Sequence, residues 1–167
     1  MHIFLTGFMG VGKTTIGIQL SEILGLDFYD LDQEISNHTG KSIPEIFNNK
    51  GEGYFRVIEK DTLIKLNAKK NTCIVALGGG TLSDTESRYL VLQNSICIYL
   101  HKPWLEIEKN LSKLQNRPLI KQKSPTELQA IFNKRRPIYE QSQLKMPINT
   151  EFQTQKLANY LKLLTNR

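Results

Sequence analysis

Residues 7–15 read GFMGVGKTT, which has the spacing G-x-x-x-x-G-K-[ST]. Glycines at this spacing (Gly7, Gly10 and Gly12) let backbone N–H groups turn inward around phosphate oxygens. A helix opening near Lys13 adds its positive N-terminal end. Lys13 can reach the β- and γ-phosphates, and Thr14 can offer its hydroxyl to Mg2+. The motif says that a nucleoside triphosphate is held, but not what becomes of it.

Three other groups of residues bear on that question. The run YDLD at 29–32 sets Asp30 and Asp32 two positions apart. On an extended chain both point to one side. One would then hold Mg2+ or its water while the other accepts a proton from an acceptor hydroxyl. The plainer alternative is a solvated strand end with helix-capping acids. The run VALGGG at 75–80 has no acid where many phosphate-loop proteins place a magnesium aspartate. That carboxylate must come from elsewhere, and Asp30 is the best-placed candidate. Gly78, Gly79 and Gly80 permit close approach of a ligand to the backbone. Among the arginines, Arg117 sits in a basic loop, QNRPLI, suited to closing on a γ-phosphate. Arg56 in GYFRVIE, and Arg135 with Arg136 in NKRRPIY, are suited to gripping a carboxylate with two parallel N–H donors. Any one of these arginines, taken alone, is more often a solvated surface charge.

These residues need a scaffold, and the apolar patterning describes one. HIFLT at 2–6 is a buried strand leading into the glycine loop. Ile16, Leu20, Ile23 and Leu24 follow at helical spacing, stopped by Gly25. LDFYDLD at 26–32 reads as a second strand, TCIVAL at 72–77 as a third and SICIYL at 95–100 as a fourth. SIPE at 42–45 and SPTE at 124–127 are capping-box patterns with Pro in the first turn. The first opens a short helix marked by Ile43, Ile46 and Phe47, with a longer one over 53–66. The second opens a helix running to about residue 141. Further helices are expected near 84–93 and from Pro103 to about residue 114. KMPIN at 145–149 suits an edge strand, because Pro147 is unwelcome in a central one. The chain closes in a helix with Leu157, Tyr160, Leu161 and Leu164 on one face. Alternating strands and helices with near-continuous apolar strands describe an α/β fold, a parallel sheet covered on both faces. Ligands of such sheets sit at the carboxyl ends of the strands. Residues 7–15, 30–32 and 78–80 all fall there.

Composition sets the class. The 167 residues suffice for one domain with a real core. No apolar run approaches the ~20 residues of a membrane span, and the opening residues lack a basic signal-peptide region. Cys73 and Cys97 lie in apolar strands and read as buried, reduced thiols of a cytoplasmic protein. His2, His38 and His101 have no metal-ligand spacing. The net charge of +6 points to an anionic partner. No long basic block is interleaved with aromatics, so small anions are favoured over nucleic acid. A GTPase reading lacks N-K-x-D: NKGE at 49–52 and NKRR at 133–136 both miss the Asp.

Six stretches, GFMGVGKTTIG, FYDLDQEI, GKSIPEIFNNKGEGYFRVIE, LGGGT, NRPLI and KRRPIYE, together resemble the shikimate kinase family over essentially the whole chain. The resemblance implies a single P-loop kinase domain of the nucleoside-monophosphate-kinase type. Its sheet is five-stranded and parallel, of order 2-3-1-4-5, with helices on both faces in a three-layer arrangement. It implies Mg2+-dependent transfer of the ATP γ-phosphoryl group to the 3-hydroxyl of shikimate, a step toward chorismate and the aromatic amino acids. By position, Gly10, Val11, Gly12, Lys13, Thr14 and Thr15 would hold the ATP phosphates. Thr14 would ligate Mg2+, with Asp30 supporting it, and Asp32 would bind shikimate and serve as base. Arg56 and Arg135 would clamp the shikimate carboxylate, with Gly78, Gly79 and Gly80 near its ring, and Arg117 would be a lid arginine on ATP. The lid would span about 112–124 and the shikimate-binding part about 32–60. The resemblance also implies a monomer with no nucleic-acid or membrane partner. Its nearest alternative is a gluconate- or nucleotide-type kinase of the same fold. Three features depart from the family pattern: Ala76 replaces a Ser or Thr, Asn110 replaces an arginine near the adenine, and NTEFQT at 149–154 matches the adenine-contacting loop only loosely.

Overall fold

A computed structural model of the chain describes residues 1–93, 95–111, 120, 122–148 and 151–165, the side chains of 151–153 and 165 excepted. Five strands form one sheet: β1 (Ile3–Thr6), β2 (Asp27–Asp30), β3 (Cys73–Ala76), β4 (Ile96–His101) and β5 (Leu144–Pro147). Their order is β2-β3-β1-β4-β5, and every pairing is parallel. Helices α1 (Lys13–Leu24), α2 (Leu31–Thr39), α3 (Ile43–Asn67), α4 (Thr85–Gln93), α5 (Trp104–Leu111), α6 (Pro125–Tyr139) and α7 (Glu151–Thr165) connect and cover the strands. No described helix is long and apolar enough to cross a membrane.

The two-residue period of β1 explains the layering. Ile3 and Leu5 face α1 and α7, packing with Leu20, Leu157 and Leu161. Phe4 faces the opposite layer, with Leu31 and Ile35 of α2 and Leu63 of α3. A third cluster, Phe8, Tyr99, Ile107, Phe132 and Tyr139, packs α5 and α6 beyond the strand ends. Trp104 joins it, its ring 5.6 Å from that of Phe132. β5 is an edge strand that ends at Pro147, where a missing donor costs no ladder bond. Both cysteines are free and buried.

Three expectations need correction. The second strand stops at Asp30, and Leu31 already begins α2, a helix that the apolar pattern did not announce. The short and long helices at 43–66 form one run, Ile43–Asn67, kinked where Gly51 takes φ 80°. On α7, Leu157 and Leu161 are buried, but Tyr160 and Leu164 face outward and Ala158 takes the inner position instead. The helix expected to reach residue 114 is described to Leu111, and the basic loop beyond it lies largely outside the described residues.

Candidate active site

The carboxyl ends of β1, β2 and β3 open into one cavity of about 420 Å3, and the phosphate loop, Asp30, Asp32 and the three glycines all line it. The loop is built as its sequence requires. Gly7 has φ 140°, and a Cβ there would lie 2.6 Å from the Leu100 carbonyl oxygen, so no side chain fits. Gly12 precedes α1 in the left-handed region and has no side chain with which to cap it. The first N–H groups of α1 are therefore left to whatever anion the loop receives. The Lys13 ammonium donates to the carbonyl oxygens of Gly7, at 2.8 Å, and Phe8, at 3.2 Å. Thr14 and Thr15 line the cavity, whereas the Val11 side chain is buried in the core under α1.

Asp30 and Asp32 do share the site, but not for the reason the extended-strand argument supplied. Asp30 is the N-cap of α2: its Oδ1 accepts from the backbone N–H groups of Asp32, at 3.1 Å, and Gln33, at 3.3 Å. Its Oδ2 accepts from the Thr14 hydroxyl at 2.6 Å. The capping role and the cavity role thus belong to different oxygens of one carboxylate. Asp32 stands in the first turn of α2, where the helix N-terminus favours its negative charge.

The arginines sort themselves clearly. Arg56, in α3, donates from Nη1 to Glu59 Oε2 at 2.6 Å and from Nη2 to Glu52 Oε1 at 2.9 Å. Arg135, in α6, donates from Nη1 to the Gly79 carbonyl at 3.2 Å. Arg136 points away to Glu140 at 3.3 Å. Both cavity guanidiniums converge on Gly80: a Cβ there would meet Arg56 Nη2 at 2.8 Å and Arg135 Nη2 at 3.1 Å. Gly78 lies between the acids, its notional Cβ 2.8 Å from Glu59 Oε1 and 3.3 Å from Asp32 Oδ1. Arg117 lies outside the described residues.

Glu59 was not singled out from sequence, yet it organises this wall. It is 3% exposed and takes Arg56 on Oε2 and the Thr81 hydroxyl on Oε1, the latter at 2.6 Å. Burial pushes its carboxyl above the usual carboxylate range, with the Asp32 charge acting in the same direction and Arg56 and Thr81 against it. Burial alone would lower the Arg56 pKa, but the two glutamates outweigh it and raise it. The signal was available as R-x-x-E, the i,i+3 spacing that lets two helical side chains meet. Ile43, Phe47 and Phe55 give the cavity an apolar wall, and all three lay inside a motif already noted. Ala76, at the end of β3, is buried and supplies no hydroxyl. Asn110 lines the cavity and donates to the Gly10 carbonyl at 3.4 Å.

The oxygen chemistry suits magnesium. Among the described residues no group of three or more His, Cys, Asp or Glu could hold a metal. Mg2+ needs none, since it binds through one or two carboxylate or hydroxyl oxygens together with substrate phosphates and water. The touching oxygens of Thr14 and Asp30 fit that pattern.

A model of the family described as shikimate kinase matches residues 9–165. The chain belongs to the shikimate kinase family. It is 37% identical over 161 residues to the shikimate kinase of Bacillus subtilis, covering 96% of this chain and 86% of that protein. It is 43% identical over 149 residues to the shikimate kinase of Synechococcus elongatus, covering 89% and 77%. Its fold matches that of the shikimate kinase from Acinetobacter baumannii in complex with shikimate, with a TM-score of 0.88 at 34% identity over 99% of this chain and 93% of the other. The five-stranded order 2-3-1-4-5 is accordingly that of solved shikimate kinases.

Proposed function

We propose that this chain transfers the γ-phosphoryl group of ATP to the 3-hydroxyl of shikimate, forming shikimate 3-phosphate and ADP. The observation that carries this reading is the meeting of two guanidiniums at Gly80, in the same cavity as the phosphate loop and Asp32. A donor site beside a pair of arginines asks for an acceptor that bears a carboxylate as well as a hydroxyl.

In this reading Arg56 and Arg135 hold the shikimate carboxylate, and the backbone at Gly78, Gly79 and Gly80 lies against its ring. Asp32 orients the reacting hydroxyl and takes its proton as the oxygen attacks phosphorus. The bond from phosphorus to the bridging oxygen of ADP breaks on the opposite side. Residues 10–15 hold the phosphates, and Lys13 and Arg117 balance the charge of the moving group. Thr14 and Asp30 would hold Mg2+, which supplies further charge neutralisation on the phosphates when bound. Residues 112–124 act as the lid that keeps water from the phosphoryl group. The protein works as a monomer in the cytoplasm.

A coupled assay of ADP release with shikimate, gluconate and nucleoside monophosphates as acceptors tests the proposal. Turnover is expected with shikimate. Turnover of gluconate or a nucleotide without turnover of shikimate would replace it by the alternative kinase reading.

A further inference from the structure

The carbonyl oxygen of Gly79 accepts two hydrogen bonds from one helix. Arg135 supplies one, and the hydroxyl of Tyr139, one turn later on α6, supplies the other at 2.5 Å. Residues four apart lie on one helix face, so the pair meets the glycine turn together. The two donors differ in stiffness. The Tyr139 ring is 1% exposed and packed against Tyr99, with centroids 5.3 Å apart, in the cluster that also holds Phe8 and Phe132. Arg135 reaches the carbonyl through a long flexible stem. Of the two, the tyrosine is the fixed point.

The peptide plane from Gly79 to Gly80 carries the Gly79 oxygen on one side and the Gly80 N–H on the other. Gly80 is also where the guanidiniums of Arg56 and Arg135 converge. From this geometry we infer that Tyr139 is a positioning residue for the acceptor site: its hydroxyl fixes the Gly79 carbonyl, and the carbonyl holds the Arg135 guanidinium where an acceptor carboxylate binds. Burial raises the phenol pKa, so the hydroxyl stays a donor throughout the working pH range. The inference rests on the proposed reading of Arg135 as a carboxylate clamp.

Tyr139→Phe removes one oxygen atom and keeps the ring in its cluster, so the variant folds. Steady-state kinetics with both substrates varied are measured for the wild type, Tyr139→Phe, Arg135→Ala and the double variant. The loss of one hydrogen bond to a positioning carbonyl is expected to raise the shikimate KM about three- to tenfold and to leave the ATP KM within about twofold. In the Arg135→Ala background the same change should add less than about twofold, because the residue it acts through is gone. A merely structural tyrosine would raise both KM values together, or act equally with and without Arg135. Either result, or an unchanged shikimate KM, overturns the inference while leaving the proposed function standing. A wild type that does not phosphorylate shikimate overturns both.

Discussion

Gly80→Ala isolates the acceptor clamp, because the three atoms nearest to the added methyl group would all be guanidinium nitrogens. Gly80 has φ −111° and ψ −7°, which alanine adopts without strain. The added Cβ would meet Arg56 Nη2 at 2.8 Å and Nη1 at 3.1 Å, and Arg135 Nη2 at 3.1 Å. Guanidiniums at the end of flexible stems can give way at a folding cost of about 0.5–1.5 kcal/mol. What they cannot do is give way and still grip a carboxylate at the same point. A hydrogen bond to a charged group contributes about 1.5–3 kcal/mol, so losing one from the clamp corresponds to about 10- to 100-fold. The shikimate KM should therefore rise by that factor. The ATP KM should stay within about twofold and the Tm should fall by only a few degrees. Gly53→Ala is the control: nothing lies within 4 Å of its notional Cβ, and its kinetics should match the wild type. A Gly80→Ala enzyme with normal shikimate KM would refute the convergence argument. So would one whose Tm collapses while its affinities stay in proportion.

Asp32→Asn should lower kcat by about 100-fold or more while preserving the ATP KM, since the backbone N–H that caps against Asp30 is untouched. Near-normal turnover in a coupled assay would dismiss Asp32 as the base. Glu59→Gln should raise the shikimate KM and remove the part of the acid limb of kcat/KM that Glu59 sets. That limb should lie above the ordinary carboxylate range in the wild type, because burial raises this carboxyl and only its charged form pairs with Arg56. The stability sign is opposite. A raised carboxyl pKa means that the Glu59 contribution is fully present below its unfolded pKa and is lost as pH rises through the folded value. Thermal melts from pH 4 to 8 should therefore show the wild type gaining on Glu59→Gln as pH falls. Burial pushes the Cys97 thiol up to about 11 and also raises that of Cys73. Neither should react with a thiol reagent at pH 8 until denaturant is added, and rapid stoichiometric labelling of native protein would contradict this.

Much of this was legible because several residues permit only one local structure. A complete phosphate-loop motif between a strand and a helix, two capping boxes and a glycine run at a strand end each carry their own geometry. The sheet order came with the family resemblance rather than with periodicity. What escaped depended on tertiary partners. Asp30 looked like the third residue from the end of a strand. Its side chain instead turns back on two backbone N–H groups and ends the strand there. Glu59 and Tyr139 are ordinary helix residues in sequence, and only the folded chain brings them against Arg56 and Gly79. Arg135 rather than Arg136 had come with the resemblance, and the two side chains leave α6 in different directions, Arg135 to Gly79 and Arg136 to Glu140.

The strand order has a consequence for how the chain is made. β1 is the middle strand, wholly buried, and its two neighbours are β3 and β4. On the ribosome it emerges tens of residues before either, and at ~5–20 residues per second that wait lasts on the order of seconds. Until Cys73–Ala76 follows, Ile3–Thr6 is an apolar segment with both hydrogen-bonding edges open, the kind of surface that holdase chaperones bind. The ATP-binding loop is thus synthesised well before the two strands that frame it. A nascent chain stalled before residue 73 should carry the complete phosphate motif and bind no nucleotide.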